Sequence, residues 1–312
     1  MATAISTARP MPRRNPDAAH RIRVTVTSLL AAALILWLTI YGAGYYSLGL
    51  AERAESPLHP ILRPSGAIGV RLGMAGFALF LLLALYPLRK RWRWLASIGK
   101  TSHWLDYHVI AGITAPILIT FHSSFKMGGL AGLAYWIMVA VAVSGFIGRY
   151  LYAQIPRTLN TTQLDMSDLE TQARDLAAEL DRQSVLPAEA MAPLLRVPAR
   201  AQVRSMSLLA LLWTMLRMDF ERPLLVSRLR RRTLSGWQKL LSLGGLLSSG
   251  QPELETVISS VRRLSWLAMK MAFLDRVRQA FHLWHVVHRP FSISFAVLVA
   301  VHIGVVVMMG YY

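Results

Sequence analysis

The chain has 312 residues, 54% of them hydrophobic, a formal net charge of +18 and no cysteine; with a mean hydropathy of +0.41 it suits an integral membrane protein better than a soluble domain. The lack of cysteine excludes disulfides, thiolate-ligated iron–sulfur clusters and covalent c-type haem attachment. The basic residues flank apolar runs, Arg13, Arg14, Arg21 and Arg23 before the first and Arg89, Lys90, Arg91 and Arg93 after the second, a positive-inside pattern that argues against nucleic-acid binding.

Residues 1–20 are polar, hold Pro10, Pro12 and Pro16, and read as a disordered cytoplasmic tail. The apolar run from Val24 to about Ser47 is too long for a signal-peptide core and lacks a small-x-small cleavage site, so it reads as a retained first span. Residues 48–65, rich in proline and balanced in charge, read as an extracytoplasmic loop. A second span runs from about Gly66 to Leu88. Its Gly69, Gly73 and Gly76 allow close helix packing or leave room for a flat ligand. Residues 89–100 form a basic loop whose Trp92 and Trp94 suit the headgroup layer. The third span, about Ser102 to His122, then runs from inside to outside, bent at Pro116. A short turn leads to a fourth span from about Leu130 to Tyr152, which completes a membrane block of four helices over residues 21–152.

Residues 153–280 hold no span-length apolar run and are expected to form a helical cytoplasmic domain. Ser167-Asp-Leu-Glu170 fits a capping box opening an amphipathic helix to about Arg182. Pro187, Pro193 and Pro198 break the segment after this helix. Met206–Met218 is apolar but short, which suits a buried or membrane-surface helix. Arg228 and Arg230–Arg232, with Trp237 a few residues on, suit a helix on an anionic leaflet, a docking surface for an acidic partner, or a solvated basic face. A long helix is expected from Leu254 into a last span over residues 281–312, which runs inside to outside because a basic region precedes it. The expected fold is therefore an all-α integral membrane bundle of about five transmembrane helices with a helical cytoplasmic insertion. Its N-terminus is expected in the cytoplasm and its C-terminus outside, in a bacterial inner membrane.

Two helices of this plan carry histidines at equal spacing: His108 and His122 on the third span, His288 and His302 on the last. Fourteen residues fall ~40° short of four helical turns and rise ~21 Å, so both imidazoles of a helix share one face at two membrane depths. Two such helices running parallel set His108 opposite His288 at the inner level and His122 opposite His302 at the outer level. That geometry clamps two haems between imidazoles, one near each membrane surface. Ionisable groups inside spans are costly and usually functional. His285 competes with His288, but its separation from His302 leaves the two ~100° apart around the helix. Gly112, one turn beyond His108, leaves space for a macrocycle or serves packing alone. Arg71 either snorkels to the outer surface or meets a haem propionate. Arg149 either anchors the inner helix end or meets the inner propionate.

In this spacing the third and last spans resemble the membrane domain shared by ferric reductases and NADPH oxidases and, more loosely, bacterial dihaem b-type cytochromes. In those families two helices each give two histidines to two bis-histidine haems. The resemblance implies iron ligation by His108, His122, His288 and His302 and two non-covalent b-type haems. It also implies electron transfer across the bilayer. No Gly-rich dinucleotide fingerprint is found, so an electron-transfer subunit is expected rather than an autonomous enzyme. Its partners would be membrane lipid and a redox protein docked on residues 153–280, or a quinone near Lys100, Asp106 and Tyr107. A histidine-lined proton or metal transporter and a membrane anchor for a cytoplasmic complex are the other readings.

Overall fold

A computed structural model of the chain describes residues 17–155, 166–234, 236–237, 245, 247–248 and 250–310. These residues are 83% helical and carry no strand. Five helices are long and apolar enough to cross a membrane, the element that satisfies every backbone polar group within its own segment. The chain divides into two compact units, Met1–Phe146 with His288–Tyr312, and Ile147–Val287.

The first unit holds α1 (Ala18–Tyr46), a 3-10 turn (Glu52–Glu55), α2 (His59–Leu62), α3 (Ala67–Arg89), α4 (Arg93–Ala96), α5 (Thr101–His122) and the start of α6 (Gly129–Gln154). Helix α5 packs mainly on α3 and also on α1, around Leu38, Leu72, Leu118 and Phe121. Gly76 makes the approach possible, because a Cβ there would stand 2.5 Å from Ile119 Cδ1.

The start of α1 departs from the sequence expectation. It begins at Ala18, so the last residues assigned to the tail are helical, while residues 1–16 lie outside the described residues. His20 in its first turn is buried. Its ring stacks on His103 with centroids 3.5 Å apart, and its Nε2 lies 3.0 Å from Asp106 Oδ2. Lys100 meets Asp17 at 2.6 Å, so two carboxylates and two imidazoles join the N-terminal ends of α1 and α5.

Residues 48–65 are likewise a folded connection and not an open loop. Arg53 is buried and donates to the carbonyls of Leu48 at 3.0 Å, Tyr46 at 2.8 Å and Ser124. Ser124 and Phe125 take left-handed backbone angles, φ 49° and 61°, a strained choice for residues with side chains. The Arg53 bond and the Ser124 Oγ bond to Leu62 O at 2.7 Å hold that turn. Arg53→Ala strips donors from three carbonyls and is expected to cost about 1–3 kcal/mol, read as a lower thermal midpoint by circular dichroism.

The second unit contains the end of α6, α7 (Met166–Asp181), α8 (Ala188–Leu195), α9 (Arg200–Ser205), α10 (Leu208–Thr233) and α11 (Pro252–Met308) as far as Val287. One core joins Leu151, Met215, Met269 and Phe273, a second Leu186, Leu229, Leu254 and Ile258. Ser167 is the second residue of α7 and so not its cap, and Pro193 sits inside α8 without ending it. Pro187 does cap α8 and Pro198 precedes α9. Residues 238–241, part of the expected basic surface helix, lie outside the described residues. Helix α11 runs unbroken through Pro290; its buried residues extend from Leu254 to Ala280 and stop there.

Candidate functional site

Four histidines on two helices, α5 and α11, form the candidate site: His108, His122, His288 and His302, all in the first unit. They come together in two pairs. His108 and His288 lie within range of each other's charge, as do His122 and His302. His108, His122 and His288 are partly buried and His302 is exposed.

The main chain and a neighbouring hydroxyl fix two of the rings. His122 Nδ1 lies 2.8 Å from Gly69 O; a carbonyl only accepts, so Nδ1 carries the proton and Nε2 the lone pair. His288 Nδ1 lies 2.6 Å from Ser144 Oγ, whose single proton is donated to Val141 O at 2.8 Å. With that bond made, Ser144 can accept from His288 Nδ1, the tautomer that again leaves the lone pair on Nε2. This arrangement, Nδ1 held by an outer partner and Nε2 presented, is the usual state of an imidazole that ligates iron. At His108 the buried Nδ1 makes no close hydrogen bond, with the Leu83 backbone the nearest polar partner of the ring, and the ring lies 5.1 Å from that of Tyr86.

Among the described residues, no three His, Cys, Asp or Glu side chains converge as a metal ion requires. The histidines meet in twos, which is the number an axial pair needs.

Gly69 and Gly73, which the sequence left open between packing and ligand space, both lie against His122. They seat His122: one supplies the carbonyl, and a Cβ on the other would stand 2.8 Å from His122 Cε1 and 2.9 Å from Nδ1. Gly73→Ala is expected to push the ring off Gly69 and cost about 1–3 kcal/mol, measured as a fall in thermal midpoint. The glycine spacing was the available signal. Ser144 gave none, since its partner is 144 residues away.

A Cβ on Gly112 would meet Leu83 Cδ2 at 3.8 Å, an ordinary packing contact with α3. Arg71 is exposed on α3. Arg149 belongs to the second unit, is exposed, and stands 5.7 Å over the Tyr152 ring. His285 also belongs to the second unit, with Nδ1 3.2 Å from Phe281 O. Asp106 and Lys100 are engaged with His20 and Asp17. Comparison with family models, curated proteins and solved structures finds no match for the chain.

Proposed function

We propose that the chain is a dihaem b-type membrane cytochrome that carries electrons across the bilayer. His108 and His288 are the axial ligands of one haem, His122 and His302 those of the other. The observation that carries the reading is that His108 lies near His288 and His122 near His302, the two levels standing fourteen residues apart on each helix. Bound haem supplies the one-electron chemistry. The chain's own residues orient the imidazoles through Gly69 and Ser144, keep Nε2 unprotonated, and surround the irons with apolar helix of low dielectric. A redox protein docked on residues 153–280, or a quinone in the lipid, exchanges electrons at the cytoplasmic side, and an acceptor or donor serves the other face.

The test is reconstitution of the haem-loaded chain into liposomes that enclose ferricyanide, with dithionite outside. The expected result is reduction of the enclosed ferricyanide, abolished by His122→Ala. Equal rates in loaded and empty liposomes would refute transmembrane electron transfer.

A further inference from the structure

Helix α10 is apolar on two opposite sides. On one side Leu211 and Met215 are fully buried within the second unit, with Val226 and Leu229 further along. On the other, Leu209 is 81% exposed, Trp213 70%, Leu216 36%, Phe220 75% and Leu224 52%. At 100° per residue these five side chains fall within roughly 80° of one another and climb ~22 Å along the helix. A helix packed on one face normally turns polar residues to water on the other. A continuous exposed apolar row marks a surface that something covers.

We propose that this face of α10 lies on an anionic lipid leaflet. Leu209, Trp213 and Phe220 enter the boundary between headgroups and acyl chains, and Arg228 and Arg231 sit among the phosphates. Three features select lipid over a protein partner. The row is cationic at its C-terminal end, where Arg231 continues its line and Arg228 flanks it, both exposed. The two acids beside Phe220 are already engaged, Glu221 by Arg217 at 2.7 Å and Asp219 by Tyr150 at 2.8 Å. Arginine stems can lie along apolar surface while their heads reach phosphate, and tryptophan favours headgroup depth. Finally, the unit that carries α10 is continuous with α6 and α11, two helices long and apolar enough to cross a membrane. A bilayer is therefore always at high local concentration for this face. The inference stands on α10 and the spans, and is independent of haem binding.

The chain's lack of cysteine allows a direct test on the full-length protein. Single variants Leu209→Cys and Phe220→Cys, with Thr171→Cys on exposed α7 surface as a water-facing reference, are spin-labelled in phosphatidylglycerol nanodiscs holding one chain each. Unchanged helical circular dichroism verifies folding. At 209 and 220 the label should be relaxed by oxygen and lose relaxation by aqueous nickel complex, the reverse of position 171. Combining Arg228→Gln and Arg231→Gln should restore nickel access at 220. Nickel access equal to that at 171 overturns the proposal. Loss of access to both reagents also overturns it, since that is the signature of a protein cover. Equal oxygen access in phosphatidylcholine discs overturns the anionic preference.

Discussion

His108→Ala and His288→Ala are each expected to remove the same one of two haems, and His122→Ala and His302→Ala the other. The two members of a pair act on one iron, so the double variant His108→Ala/His288→Ala should lose no more haem than either single variant. Non-additivity of this kind is the mark of residues that work as a unit. His108→Ala/His122→Ala takes one ligand from each pair and should leave none. The two levels are ~21 Å apart along a helix, far enough that loss at one level leaves the other loaded. His285→Ala should keep both haems. Ser144→Ala removes only the outer partner of His288, and the expected loss is about 10- to 100-fold in haem affinity, the usual scale for such partners. Haem per chain by the pyridine haemochrome assay distinguishes all these outcomes.

The next largest effect is expected in the second unit, where buried charges meet. Lys270 is 4% exposed and donates to Gln154 Oε1 and to Ala153 O at 3.3 Å. Gln154 Nε2 in turn donates to Asp219 Oδ2 at 3.1 Å, and Tyr150 donates to the same oxygen at 2.8 Å. Arg222 reaches Asp219 Oδ1 at 3.4 Å. Asp219→Ala leaves two cations with no nearby carboxylate and is expected to cost about 2–4 kcal/mol, less than a fully buried pair because the Asp219 side chain is 32% exposed. Thermal melting with limited proteolysis of the second unit measures it. Lys270 also sets a pH dependence. Burial lowers its pKa from 10.5 to about 8. Below about pH 8 the lysine is charged both folded and unfolded, and stability does not change with pH on its account. Between about 8 and 10.5 the unfolded chain binds the extra proton, so stability rises with pH across that window. Lys270→Met should flatten the rise.

The helical periodicity made the membrane helices legible, because backbone in hydrocarbon has few choices and an apolar run of span length is a strong local signal. The histidine spacing was legible for the same reason: one helix fixes the relative placement of His108 and His122 without help from the rest of the fold. What the sequence hid are partners brought from far along the chain. His20 read as a tail residue, yet it is held 86 residues away by Asp106. Arg53 read as loop charge, yet it is buried against carbonyls on both sides of its turn. Polar residues of this kind look solvent-facing until the carbonyls they satisfy are in view. Pro193 misled in the opposite sense. Proline inside a pattern usually ends a helix, but α8 carries one through. Helix α10 shows a third limit: its apolar residues signalled a buried or surface helix, and only their exposures separate the face in the core from the face that is bare.

The most direct measurement is a reduced-minus-oxidised optical spectrum of the purified full chain, with haem per chain counted on the same sample. Two b-type haems per chain, with the sharp α-band of bis-imidazole low-spin iron, are the result that dihaem ligation by His108, His122, His288 and His302 requires. A folded, helical and colourless chain that takes up no added haem would contradict it.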